Sequence, residues 1–234
     1  LKGMTKTTNR GIPIYLYASS GRPQIVTPLQ STTQANIKKF GQGMEMGDDI
    51  RLFELSNDAF QTLRSQYMNI NIRPGSATLA IGVVVDGYLI GVYAFSAGPT
   101  VAQWDKHIET PTVYLLSDFP VEPTDYKHLA KLVLYAALSK ESKRIAERIT
   151  KRRAASLVTT AFSKNPESMK YRGLFKVLNR KHNDSLQKAD WAKDIDPANA
   201  YYMQPYEINY GAPLGQWTLK EGLALWKKKH SQKR

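Results

Sequence analysis

The chain has no cysteine among its 234 residues. Disulfides, a thiolate nucleophile and cysteine-ligated zinc or iron–sulfur centres are therefore excluded. Histidine is scarce. His107, His128, His182 and His230 stand apart, with no His-x-His, His-x-x-x-His or His-Glu-x-x-His spacing, so no local metal motif exists. There is no phosphate-binding Walker loop and no Gly-x-Ser-x-Gly elbow. An uninterrupted membrane span is also missing. Residues 79–95 are almost wholly apolar, but Asp86-Gly87 sits in their middle, and Val, Ile and Tyr dominate both arms. That pattern predicts a β-hairpin with a two-residue turn. Acidic residues are in deficit, 20 against 33 Lys and Arg.

The surplus of positive charge is not spread evenly. Residues 1–123 hold ten basic and ten acidic side chains, whereas residues 124–181 hold 15 basic and 4 acidic. Residues 182–216 are net acidic, and residues 217–234 carry six basic side chains against one acidic. Segregation of this kind predicts a polyanion-binding face rather than general solubility, and DNA is the expected partner. With 42% hydrophobic and 23% charged residues, the chain has the composition of a folded domain.

Leu1, Lys2 and Gly3 read as an added leader ahead of a natural start at Met4. No apolar signal segment follows, so a cytoplasmic location is expected. Residues 12–18 predict a short strand, and the Ser, Thr, Gln and Gly-rich stretch 19–49 predicts a surface arm. Ile50–Leu55 alternates as a strand does, and Ser56 has the chemistry of an N-cap for a helix through Met68. Thr112–Phe119 predicts a further strand. A long helix follows from 123, with Leu129, Leu132, Val133, Ala136 and Ala137 on one face, continued by Ile145 and Ile149. Residues 154–162 predict a strand, 166–178 a shorter helix, 201–210 a strand or hairpin, and 217–229 an amphipathic terminal helix. Three regions result: an arm over 1–49, an α/β domain over 50–216 and a basic tail over 217–234.

From residue 50 this order is strand, helix, hairpin, strand, long helix, strand, helix, strand. The order resembles the GNAT acyltransferase fold, a mixed α/β sheet with a long crossover helix after the fourth strand and splayed central strands. Leu116-Ser117-Asp118-Phe119 ahead of the run 126–132, and 159–163 ahead of 168–175, resemble the branch found in phage and mobile elements. That branch is typified by Mom-type DNA-modification proteins, which alter adenine and block host restriction. The resemblance implies acetyl-CoA or another acyl-CoA entering the splay, with its pyrophosphate on the N-terminus of the crossover helix. GNAT chains usually carry Arg/Gln-x-x-Gly-x-Gly/Ala there. This chain reads Tyr126-Lys127-His128-Leu129-Ala130-Lys131, without glycine.

The resemblance implies Asp118, at the end of the fourth strand, as a base toward an exocyclic amine; capping the following turn is the alternative. Tyr171 would act as acid or stack on an extruded base, and Ser163 would face Asp118 or close a turn. Tyr126, Lys127 and Lys131 would hold cofactor phosphate. DNA phosphates would meet Lys140, Lys143, Arg144, Arg148, Lys151, Arg152, Lys170, Arg172, Lys227 and Lys228, with Trp226 as a stacking ring. Glu141 and Glu147 would partly pair the helical cations. Two alternatives to a DNA-modifying transferase are a non-catalytic nucleic-acid binder and an ordinary acetyl-CoA-dependent N-acetyltransferase.

Overall fold

A computed structural model describes residues 4–9, 12–17, 45–68, 77–96, 107–121, 125–182 and 204–230, with 4–9, 12–17 and 149–150 as backbone. The strands are β1 (Met4–Asn9), β2 (Ile12–Tyr17), β3 (Ile50–Leu55), β4 (Leu79–Val85), β5 (Tyr88–Ser96), β6 (Thr112–Pro120), β7 (Ser156–Ser163), β8 (Lys176–His182) and β9 (Tyr206–Pro213). The helices are α1 (Asn57–Tyr67), α2 (Leu129–Ala137), α3 (Lys140–Thr150) and α4 (Leu219–His230). All nine strands form one sheet in the order β1-β2-β3-β4-β5-β6-β7-β9-β8. Every neighbouring pair is antiparallel except β6 and β7. A parallel pair requires a crossover, and α2 and α3 supply it.

Helices cover both faces of the sheet. On one face α1 packs on Phe53, Leu55, Val84, Leu89, Val92 and Phe119. On the other, α2 and α4 pack on Leu52, Ile81, Val83, Ile90 and Leu115. Successive strand residues point to opposite faces, so a strand covered on both sides must be apolar throughout. This is why 79–95 reads as a continuous hydrophobic run. The hairpin turn there has Asp86 at φ 48° and Gly87 at φ 82°, the left-handed pair that a two-residue turn needs. Gly91 serves a different end. A β-carbon there would lie 2.4 Å from Val133 Cγ2 and 2.6 Å from the Phe119 carbonyl, so its absence lets α2 approach the sheet.

The strands expected at 50–55 and 112–119, the hairpin, the Ser56 cap and the terminal helix all form. Ser56 accepts a hydrogen bond from the Ala59 amide. Two expectations are corrected, and a third is tested only at its end. The single helix after residue 123 is two helices, because Ser139 adopts an extended conformation (ψ 161°) and caps α3 through the Ser142 amide. The helix expected over 166–178 is a turn followed by β8; Gly173 sits at φ 81°, which a helix cannot hold. The arm expected over 19–49 lies outside the described residues for 19–44, while Met46 is buried core. Residues 183–203 also lie outside the described residues.

Candidate active site

The parallel ladder between β6 and β7 stops early. Thr112, Val113 and Tyr114 pair with Ser156, Leu157 and Val158 and nothing follows, although β6 runs to Pro120 and β7 to Ser163. Beyond that point β7 pairs only with β9, and β6 only with β5. The central strands therefore part, as the resemblance implies. Thr159 marks the point of parting: its hydroxyl donates to the Leu115 carbonyl at 2.9 Å, taking a backbone acceptor that the ladder no longer uses. The β5–β6 register also steps from Ala94–Ser117 to Phe95–Leu115. Leu116 is thus an extra residue on β6, a bulge beside the opening.

Asp118 lies just past the bulge and is 5% exposed. A carboxylate buried this deeply needs partners, and it has them. The Tyr171 hydroxyl donates to Asp118 Oδ1 at 2.9 Å, and the Lys170 ammonium forms an ion pair with Oδ2. Lys170 also donates to the Asp118 carbonyl at 2.6 Å. The Tyr171 ring lies 4.9 Å from the Tyr210 ring and 5.4 Å, edge-on, from Phe175. Tyr210 in turn accepts from the Ser168 amide at 2.7 Å. Lys131, on the first turn of α2, donates to the Arg172 carbonyl at 2.7 Å. The turn 168–172 is therefore stitched to β6, β9 and α2. Burial first, and the Arg172 charge second, lower the Lys131 ammonium below the usual lysine range.

Lys127 is exposed at the start of α2, whose first turn has no acidic residue and whose N-cap, His128, makes no side-chain cap bond. The His128 ring lies 5.6 Å from that of His230, the last residue of α4. His230 is depressed by burial, then by Lys131, His128 and Lys229. Lysine and histidine thus gather at the start of α2, with no acidic residue in its first turn.

Other sequence candidates fall elsewhere. Ser163 accepts from the Asn165 amide and closes the turn after β7, with no bond to Asp118. Tyr126 is core: it is buried, its ring lies 5.5 Å from Trp226, and its hydroxyl accepts from the Met46 amide. Trp226 is fully buried and donates to the His128 carbonyl, so it offers no stacking face. Lys170 is committed to Asp118 rather than to phosphate. Arg172 pairs with Glu167, and Lys227 with Asp48. Lys228 is exposed. Glu141 and Glu147 do not pair their helical neighbours; they accept from the Leu219 and Ala154 amides. The Lys170–Asp118 pair escaped the sequence reading, although a lone carboxylate in an apolar strand signals a hidden cation.

The basic block is divided by the fold. Lys131, Lys170 and Arg172 meet at the turn beside Asp118, with Lys127 just ahead of α2, while Lys140, Lys143, Arg144, Arg148, Lys151 and Arg152 belong to α3 and the residues after it. That segment flanks the paired end of the strands: the Ala155 amide donates to the Pro111 carbonyl and the Gly215 amide to the Leu138 carbonyl. The six residues of α2 after Lys131, about 9 Å of helix, separate the two groups along the crossover.

A model of the phage GNAT-like domain matches residues 47–231. The chain belongs to the phage GNAT-like family. No curated protein matches it. Solved structures similar to this GNAT-like domain include a Bacillus subtilis acetyltransferase in complex with CoA, 16% identical, covering 70% of this chain and 97% of that one with a TM-score of 0.40. The ribosomal-protein-S18-alanine N-acetyltransferase from Escherichia coli is 10% identical over 72% of this chain and 96% of its own, with a TM-score of 0.42. A GNAT family acetyltransferase from Elizabethkingia anophelis with acetyl-CoA bound is 10% identical over 72% and 100%, with a TM-score of 0.38. Among the described residues of the GNAT-like domain, no group of three or more His, Asp or Glu is placed to hold a metal ion. No helix among them is long and apolar enough to cross a membrane.

Proposed function

We propose that this GNAT-like protein transfers an acyl group from an acyl-CoA to an amine, and that the amine belongs to a DNA base. Adenine is the favoured base, by the resemblance to Mom-type proteins, and the modification would shield phage DNA from host restriction. One observation carries the transferase reading. The β6–β7 ladder ends after three pairs while both strands continue, and Asp118, Lys170 and Tyr171 are knotted together at the opening.

The residues at the mouth fit an anionic donor. Lys127, Lys131 and the first amides of α2 would hold its phosphates, with no carboxylate in that turn to oppose them. The backbone groups of β6 that β7 releases would pair with the amides of its arm. When bound, acyl-CoA supplies an acyl group activated as a thioester. Asp118 Oδ1 accepts from Tyr171 and Oδ2 meets the Lys170 ammonium as an ion pair without a hydrogen bond, so its part is to orient. It fixes the phenol of Tyr171 and the ammonium of Lys170, and Tyr171 Oη is the atom that would hold a proton for the leaving group.

The charge map supports a DNA-borne acceptor, since residues 124–181 carry 15 basic and 4 acidic side chains. A base must leave the duplex to reach a cleft of this kind. Nucleoside mass spectrometry of DNA from cells making the protein tests this reading. A new acylated nucleoside is expected with wild type and is lost with Asp118→Ala and Tyr171→Phe. Unmodified DNA in cells making folded wild-type protein would overturn it.

The separation of α3 from the mouth favours one second reading, an ordinary acetyl-CoA-dependent N-acetyltransferase acting on a protein or small amine. It predicts acetylated amine and unmodified DNA in the same experiment.

A further inference from the structure

Helix α3 has two unlike sides. Ser142, Ile145 and Ala146 are buried, and Ser142 accepts from the Tyr93 hydroxyl at 2.9 Å, which seats the helix on the sheet. Lys140, Lys143, Arg144 and Arg148 recur at spacings of three and four, so they share the outer side, and Lys151 falls on it one turn later. Lys140, Arg144, Lys151, Arg152 and Arg153 are exposed. The carboxylates nearby are turned to other uses. Glu141 caps α4 through the Leu219 amide, and Glu147 accepts from the Ala154 amide. Glu221, on α4, accepts from the Thr218 amide at 2.7 Å, and Lys140 is one of the charges that lower it. Among the described residues, Lys140, Lys143, Arg144, Lys151 and Arg153 have no ion-pair partner.

We propose that this outer side of α3, with the residues just after it, docks the phosphate backbone of a nucleic-acid duplex at a place separate from the mouth. From Lys140 to Lys151 the helix runs about 17 Å. Over that length one strand of a duplex presents roughly five phosphates, at about 3.4 Å per nucleotide along the axis. Four cations without an ion-pair partner among the described residues, Lys140, Lys143, Arg144 and Lys151, lie within that span, and Arg153 follows two residues on, which together approach that number. Residues 138–155 contain no aromatic side chain, so the surface has nothing on which an unstacked base would rest, which disfavours single strands. Met169 is the one exposed large apolar side chain among the described residues, and it lies on another turn. A bilayer-inserting surface is therefore disfavoured. The inference rests on, and sharpens, the reading of DNA as carrier of the acceptor. The duplex would be anchored at the closed end of the strands, one α2 length from the opening, and the contact would read charge rather than sequence.

Fluorescence anisotropy with a labelled 20-base-pair DNA duplex, between 50 and 200 mM salt, tests it. Five phosphate contacts predict that wild-type affinity falls about 500-fold over that range, from a slope of about −0.9 per contact. The triple variant Lys140→Gln, Lys143→Gln, Arg144→Gln should fall only about 12-fold and bind more weakly at 50 mM. Glutamine is as good a helix former as lysine, so the fold should hold. Lys151→Gln with Arg153→Gln, outside the helix, gives an independent second variant with an intermediate slope. Lys131→Gln, at the mouth, should keep the wild-type slope. Equal affinity and slope for wild type and both α3 variants would overturn the proposal. So would tighter binding to a single-stranded 20-mer or to phosphatidylserine vesicles than to the duplex. Calorimetry with acetyl-CoA separates the two readings: the α3 variants should match wild type, and a wild type that binds no acetyl-CoA but does bind duplex would sink the transferase reading alone.

Discussion

Replacing Lys170 by methionine should leave Asp118 as a buried carboxylate with one hydrogen bond and no cation. Removing one partner of a fully buried pair costs about 3–5 kcal/mol. The Lys170 side chain is 30% exposed and that of Asp118 only 4%, so water recovers part of the loss and the figure falls to about 2–3 kcal/mol. In a chain of this size that lowers the melting temperature by roughly 5–10 °C. Urea unfolding gives the free energy, with the denaturant slope checked for constancy. Tyr171→Phe removes a hydrogen bond to a charged group and should cost about 1.5–3 kcal/mol. Asp118→Leu combined with Lys170→Met removes the charge and its partner together, and should recover most of the single-variant loss. The reasoning fails if Lys170→Met costs less than about 0.5 kcal/mol, or if the double variant is simply the sum of the two singles.

Gly91→Ala should destabilise by about 1–3 kcal/mol, because its β-carbon would press on Val133 and on the Phe119 carbonyl; a urea midpoint unchanged from wild type would show that α2 can retreat. Trp226→Ala should cost about 3–5 kcal/mol, since it empties a fully buried site and strips the His128 carbonyl of its donor; a loss below 1 kcal/mol would place α4 outside the core. His230 supplies a pH dependence. Its folded value is lowered, by burial first and then by Lys131, His128 and Lys229. Unfolded histidine titrates near about 6.5, so below that pH the unfolded chain holds the extra proton and stability falls as pH drops toward the folded value. His230→Gln should flatten that decline between pH 7 and 5 in urea midpoints, and a variant that tracks wild type would refute the assignment.

The fold was legible where local chemistry and burial agreed. Asp86-Gly87 fixed the hairpin, Ser56 opened α1, and the two-sided apolar strands followed from a sheet covered on both faces. Ser139 shows why the crossover was misread. The apolar period runs through it, yet a serine able to cap Ser142 interrupts the helix at almost no cost to that period. Gly173 carried the same kind of warning for 168–175. At the site, the parting of β6 and β7 came from the resemblance, whereas the Asp118–Lys170–Tyr171 knot joins residues 52 and 53 positions apart and leaves no spacing to read. Charge counting found the basic block but not its division, because only the fold sets the rest of α2 between Lys131 and Lys140. Tyr126 and Trp226 look like recognition aromatics beside lysines and are core, packed on each other.

Hydrogen–deuterium exchange with and without acetyl-CoA tests the central claim most directly. Protection is expected at Leu115–Phe119, at Thr159–Ser163 and over the first turn of α2, with α3 unchanged. Exchange that is identical in both samples at those segments, or protection found only elsewhere, would contradict the account.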